Sequence, residues 1–445
     1  MRRLTFATVV ALGAVTLFAG WEDEAWRFAR TTVYCPKTKL VYDYRVGTGE
    51  NALVGCLPTP KEIRANFPVV TGWSTGMEDS VLSGTTLLLA AMARYDRLGE
   101  PETLDFLHDL FDGLCHCCEY AKVPGFLARS ICPADGRSHY INSSRDQYTL
   151  FVYTMWRYAN SAFCPPARRD EIAKIVADVA SFAHAGARPE HGFNLLREDG
   201  KPGIVCTTWM PDPWGPLATN ASGRVSRGAI SAHEVGRLPM IYAAAHAFTG
   251  DAAWRARELE IADAALRMEE ADELGSYHGF ELFQMQVSQR LLWECETNPA
   301  RRARYLKMLR RVAQASLKGM DRAEKLYAEL NGRLSAPAGD WRGWDRELVT
   351  GGDGVLNGMP YRKPIRPAEY QKAYDCVREM GEAVIVPLTC PDFRLAEDHL
   401  ARFRRLAAKA DFAHVMSPGL VYPVLAREMT RQTAIRGNVP ITAAE

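Results

Sequence analysis

An all-α fold, organised as an α/α toroid of helical hairpins, is the architecture this 445-residue chain predicts. Three observations carry that expectation. Apolar residues recur at helical spacing along most of the chain. The helical segments come in pairs, joined by short links such as Thr249-Gly250-Asp251. No strand-rich region interrupts them. In a ring of this kind alternate helices form an inner and an outer layer. Residues 21–445 are therefore expected to be one catalytic domain, although length alone would allow about three.

The first pair spans residues 77–98, with Leu82, Leu89 and Met92 on one face, and residues 102–120. The second spans 146–160, carrying Phe151, Trp156 and Tyr158, and 167–185. Three more follow: 230–248 with 252–268, 279–294 with 300–317, and 367–386 with 395–410. A last helix, 419–432, is left over. Residues 37–46 read as a short strand, because Leu40, Tyr42 and Tyr44 alternate. Two long loops, 200–227 and 335–367, break the helical pattern. The first holds Trp209 and Trp214; the second holds Trp341, Trp344, Gly351, Gly352 and Gly354. Loops this long are functional or disordered, and their tryptophans argue against disorder.

The N-terminus reads as an export signal. Arg2 and Arg3 precede an apolar run over residues 4–18, and Ala19-Gly20 offers small residues for cleavage. As a membrane anchor the run is short, and acidic Glu22-Asp23-Glu24 follows at once. A periplasmic or secreted location is expected, without stable membrane insertion after cleavage. Lys plus Arg is 54 and Asp plus Glu is 53, so no electrostatic case exists for nucleic acid as a partner. Eleven cysteines cannot all pair. Cys115, Cys117 and Cys118 lie in one helix without a second Cys/His cluster at zinc spacing, and read as buried small hydrophobes. No metal and no cofactor is expected.

The sharpest signal for function is the stretch from Asp135 to Thr149, which runs turn formers, hydroxyls, two arginines and Asp146 into an aromatic helix. So many polar groups suit a loop at the mouth of a scaffold rather than a core. Three helix starts look alike: Thr75 with Glu78, Ser144 with Gln147, and Ser231 with Glu234 all fit the capping box. Each opens the first helix of a pair. In a toroid their N-termini converge, gathering Glu78, Asp79, Arg145, Asp146, Gln147, His233 and Glu234. Gly236 and Pro239 can delay the third start.

Capping alone accounts for Glu78 and Glu234, whereas the polar loop before Asp146 favours a functional role there. A helix N-terminus lowers a carboxylate's pKa, so a general acid there needs burial or a second carboxylate nearby. Asp79 and Asp146 are the candidate pair. Arg129 could clamp a substrate carboxylate or pair with Asp135 or Asp146. Tyr140 and His139 could move protons or simply brace the loop. Trp73, Trp209 and Trp214 could stack on sugar rings, or pack.

The segments Gly76–Ser80, Pro124–Arg129, Asp135–Tyr140 and Ser143–Tyr148 resemble uncharacterised members of the six-hairpin glycosidase superfamily. The likeness covers the helical body from about Gly72 onward, with its sharp motifs between Trp73 and Tyr158. It implies an (α/α)6 toroid and carbohydrate-active chemistry, often on uronic-acid-containing glycans. In related unsaturated glucuronyl hydrolases, aspartates at inner-helix ends do the chemistry; Asp79 and Asp146 are the positions that could match. An exported glycoside hydrolase acting on an oligosaccharide or polysaccharide is thus the leading expectation. A polysaccharide lyase would instead use Tyr140, His139 or His233, with Arg129 or Arg145 neutralising the substrate. A glycan-binding toroid without catalysis is the third. The Asp-x-Asp-Asp motif of triterpene-type cyclases is absent.

Overall fold

Two kinds of helix build the chain, in a computed structural model describing residues 20–47, 52–211, 217–332, 334, 339–349 and 361–437. The candidate signal, Trp214 and the glycines Gly351, Gly352 and Gly354 lie outside the described residues, except for Gly20. The fold is mostly α-helical. One kind of helix is buried nearly all round. In α3 (Ser80–Leu98) almost every residue from Ser80 to Ala93 is buried. The same holds for α5 (Arg145–Ala159), α7 (Arg237–Thr249), α9 (Gly279–Cys295) and α12 (Ala368–Thr389). A helix apolar on all sides must be surrounded by protein.

The other kind buries one stripe. α4 (Pro101–Glu119) buries Phe106, Leu107, Leu110, Phe111 and Leu114. α10 (Pro299–Ser316) buries Tyr305, Met308, Leu309 and Val312. This i, i+3, i+4 spacing is that of a helix with one face in water. With α6 (Pro166–Gly186), these helices open on proline, whose fixed φ suits the first helical position. α3 and α7 end on Gly99 and Gly250 at φ 63° and 70°, a conformation that costs glycine nothing. α8 (Ala252–Ala271) is capped by Asp251, whose carboxylate accepts from Ala253 N.

The buried helices pack in a closed circuit. α3 meets α5, α5 meets α7, α7 meets α9, α9 meets α12, α12 meets α14 (Ser417–Gly437), and α14 returns to α3; α5 also touches α9. The striped helices lie against them: α4 on α3, α6 on α5 and α7, α8 on α7, and α10 on α9 and α12. α1 (Trp21–Phe28) packs on α14, while α11 (Lys318–Glu329) and α13 (Glu397–Ala407) pack on α12.

The expected pairs are present, with shifted starts. α3 begins at Ser80 rather than 77, and α7 at Arg237 rather than 230, after Gly236 and with Pro239 in its first turn. α1, α11 and the short α2 (Pro60–Arg64) are helices that the sequence reading does not include; α11 buries Gly319, Met320 and Ala323, with Leu326, Tyr327 and Leu330 packed against the core beside them. The expected strand 37–46 shrinks to β2 (Leu40–Val41), paired with β1 (Tyr34–Cys35). Both long loops hold antiparallel pairs. β3 (Asn194–Leu196) joins β4 (Pro202–Thr207). β5 (Leu217–Thr219), β6 (Val225–Arg227) and β7 (Ile230–Ser231) form a sheet. β8 (Arg346–Val349) joins β9 (Tyr361–Pro364). Strands of two to six residues leave no usable period. Cys115 and Cys117 are buried in the core. Among the described residues no helix is long and apolar enough to cross a membrane.

Candidate active site at the helix starts

The start of α3 is capped from outside. The backbone N–H groups of Glu78 and Asp79 donate to Asp43 Oδ2 at 3.1 and 3.0 Å. Val81 N donates to Arg129 O at 3.2 Å, and Leu82 N to Gln147 Oε1 at 3.2 Å. With its orphan donors so satisfied, the helix needs no cap from its own first residues. The Thr75–Glu78 box does not form. Thr75 donates to Gly72 O, while Glu78 Oε2 accepts from Ser74 N at 2.6 Å and from Arg366 at 2.5 Å. Asp79 is at the N-cap position yet caps nothing: its Oδ1 accepts from Arg129 at 3.0 Å and Gln147 at 2.8 Å.

The start of α5 departs from expectation in the same way. The Ser144 side chain makes no cap, and Gln147 spans to α3 instead. Asp146 Oδ1 accepts from Arg237 Nη1 at 2.5 Å, across to the start of α7. Only the third box forms. Ser231 and Glu234 cap a single turn before α7, with Ser231 N donating to Glu234 Oε2 at 2.8 Å. The other oxygen of Glu234 pairs with Arg145.

These contacts continue around the helix starts. His233 Nε2 lies 3.9 Å from Glu281 Oε1 in the first turn of α9. His278, at the N-cap of α9, meets Glu379 of α12 at 2.9 Å. Arg366, just before α12, closes the circuit on Glu78. Side-chain bonds thus join the starts of α3, α5 and α7 to one another, α9 to α12, and Arg366 to Glu78, while His233 and Glu281 are neighbours without a hydrogen bond.

Charge is distributed unevenly among them. Burial, reinforced by Asp79 and Glu78, pushes the Asp43 carboxyl up to about 8. Burial and then Glu78 raise Asp79 as well. Burial also works against ionised Glu78, but Arg366 and Arg129 outweigh it and hold that carboxylate below its ordinary value. At Asp146 burial is again opposed, by Arg237 and Arg145, and the carboxyl falls to about 2. His233 drops to about 3, through burial and then the Arg237 charge, so it is neutral at pH 7. Carboxyls driven apart in this way can divide acid and base roles.

The free oxygens matter most for chemistry. Asp79, Glu78 and Asp146 each hold one oxygen in hydrogen bonds. Among the described residues no donor reaches Asp79 Oδ2, Glu78 Oε1 or Asp146 Oδ2. Their side chains keep 14%, 14% and 25% of their surface open. A carboxyl anchored by one oxygen and open at the other can give or take a proton in a fixed direction.

Several sequence expectations change. The carboxylate that raises Asp79 is Glu78, together with burial, not Asp146. Arg129 pairs with Asp79, not with Asp135 or Asp146. Tyr140 is buried and donates to Phe67 O at 2.7 Å, which makes it a brace rather than a substrate contact. His139 lies 3.3 Å from Glu198. Trp209 is buried in the core and offers no platform. Trp73 is half-buried, tilted against Tyr361 at 5.7 Å with Lys363 Nζ 5.3 Å from its ring.

Asp43, Arg237, Arg366 and Arg378 were missed. Asp43 has a readable signal, an acid between Tyr42 and Tyr44 in an alternating segment. Arg378 has one as well: Tyr374, Arg378 and Glu382 recur at i, i+4 among the apolar residues of α12. Arg366 ends a long loop, where nothing in the sequence marks it. Comparison with family models and with curated proteins returns no match.

Proposed function

We propose that the chain is an exported glycoside hydrolase built on one (α/α)6 toroid spanning residues 21–445, with its catalytic carboxyls at the inner-helix starts. The closed packing circuit of six buried helices, clad by striped ones, supports the toroid. The observation that carries the chemistry is the split among the carboxyls at the helix starts: Asp79 held up, Glu78 beside it and Asp146 at α5 held down, each with one open oxygen. Asp79 is the proton donor to the leaving oxygen. Ionised Asp146 or Glu78 activates water or steadies positive charge on the sugar ring. Arg129 and Gln147 fix the Asp79 carboxyl and act through it as positioning residues. The resemblance to six-hairpin glycosidases makes a uronic-acid-containing glycan the substrate class to try first.

The lyase reading loses support, since the Tyr140 hydroxyl is committed to a backbone carbonyl and burial pushes its pKa further up. Incubating the purified chain with uronate-containing oligosaccharides separates the two. A hydrolase releases reducing ends without new ultraviolet absorbance, and Asp79→Asn abolishes that release. Accumulation of an absorbing unsaturated uronate identifies a lyase and overturns the proposal. Full turnover by Asp79→Asn overturns the role of Asp79.

A further inference from the structure

Behind the start of α7 lies a buried acid. Glu269, in the last turn of α8, keeps 1% of its surface open, and Gln289 of α9 keeps none. Gln289 Nε2 lies 2.6 Å from both carboxyl oxygens of Glu269. That spacing is short for an N–H···O bond and ordinary for O–H···O. With its amide turned about, Gln289 Oε1, otherwise a buried oxygen without a partner, accepts from a protonated Glu269. Gly236 touches this pair. A Cβ there would stand 3.0 Å from Glu269 Oε1 and 3.2 Å from Gln289 Nε2, so glycine lets the chain come this close. The turn before α7 also packs on α8 and α9. The segment seated here carries His233, Glu234 and Arg237, and Arg237 holds Asp146.

Among the described residues no cation bonds Glu269. Glu270 beside it on α8, and Asp272 in the turn that follows, both repel a negative charge there. Arg304 of α10 attracts one, but its guanidinium is bonded to Glu270 and Asp263. Arg311, also of α10, donates to the backbone carbonyls of Glu270 and Asp272. Tyr305 of α10 lies close enough to feel the Glu269 charge, and its buried hydroxyl has no hydrogen-bond partner. From α9 and α7 the carboxyl meets neutral Gln289 and Gly236. An amide can satisfy a carboxyl's hydrogen bonds but cancels no charge. Burial therefore drives Glu269 well above its ordinary 4.5.

We propose that Glu269 and Gln289 form a neutral acid–amide lock that seats the start of α7, and that loss of the Glu269 proton in alkaline solution releases it. Glu269 is a positioning residue: it acts on Asp146 through Arg237 and touches no substrate. The consequence for catalysis rests on the hydrolase reading above; the lock itself does not. The folded chain keeps this proton above pH 4.5, where an unfolded Glu has lost it, so stability falls as pH rises.

Hydrogen exchange of the full chain over residues 231–240, corrected for the intrinsic rate and followed from about pH 6 to about pH 9, tests it. Exchange there is expected to rise at least about tenfold beyond the trend of the remaining helices. Glu269→Gln, a neutral side chain of the same shape, is expected to remove that rise and to lose less melting temperature than the natural chain over the same range. Exchange that follows the other helices, or that rises equally in Glu269→Gln, overturns the lock. So does a Glu269→Gln chain that fails to fold, because a neutral lock accepts a neutral isostere. If the chain cleaves no glycan while Glu269→Gln still removes the rise, the hydrolase reading falls and the lock stands. Glycan cleavage by a chain whose exchange ignores Glu269→Gln does the reverse.

Discussion

The starts of α3 and α5 present the same element to the same helix dipole, yet their carboxyls titrate in opposite directions. At α5 a single carboxylate, Asp146, feels two arginines and falls to about 2. At α3 three carboxyls crowd together, and burial with mutual repulsion leaves Asp43 and Asp79 raised while Glu78 alone is held down. A macrodipole contributes about 0.3–1 kcal/mol, less than one pKa unit. It cannot decide between these outcomes. The ratio of arginines to carboxyls around each start decides them, and that ratio is a tertiary property.

The comparison breaks most directly at Asp79. Asp79→Asn removes the proposed proton donor and is expected to lower kcat by about 10²–10⁴. Circular dichroism should show an intact fold, because Asn can still accept from Arg129 and Gln147. A loss below tenfold would assign the acid role elsewhere.

At α5 the largest effect falls on stability. Asp146→Ala strands buried Arg237 and is expected to cost about 3 kcal/mol in urea unfolding. The Asp146 carboxyl is ionised in the folded chain down to about pH 2, against an ordinary 3.8. Its contribution is present above 3.8 and lost as pH falls through 2, on the order of 2 kcal/mol.

Asp43 behaves in the opposite sense. Folded, it keeps its proton up to about pH 8; unfolded, only up to its ordinary 3.8. Between those values the folded state holds the extra proton, so stability declines as pH rises. Asp43→Asn keeps an oxygen for the Glu78 and Asp79 N–H groups. It should flatten that decline by at least about 1 kcal/mol between about pH 5 and about pH 8. Parallel melting curves for the two proteins across this range would show that Asp43 is ionised throughout.

The smallest test separates the three look-alike starts. Ser231→Ala loses a formed capping box and should cost about 1 kcal/mol. Ser144→Ala, whose side chain caps nothing, should stay within about 0.5 kcal/mol. Equal costs would mean that Ser144 acts as a cap after all.

The helices were legible because burial on one stripe or all round leaves a period in the sequence. α11 escaped although Met320, Ala323, Leu326, Tyr327 and Leu330 make a stripe, because a single residue, Leu317, separates it from α10 and no turn signal marks the break. Asp79, Arg129 and Gln147 were read as site residues, and the structure brings all three together. Their connections were not readable: Gln147 matched a cap by spacing but bonds a helix 65 positions upstream. Sequence rules for capping see only neighbours along the chain. Here the N–H groups of Glu78, Asp79, Val81 and Leu82 at the start of α3 find their acceptors in other segments. Arg366 escaped for the same reason, because a loop-end arginine acquires meaning only from what it meets.

The bond from Arg366 to Glu78 spans 288 positions, and that from Ser417 to Asp43 spans 374. Closing contacts so distant is slow and happens late in folding. During synthesis Glu78 and Asp43 emerge hundreds of residues before these partners exist. A nascent chain lacking its last quarter would hold crowded acids with no arginine from α12 to balance them. The cluster is therefore assembled only after Arg366 and Ser417 have been made, and a product ending before them would leave Glu78 and Asp43 without these partners however well its first hairpins had formed.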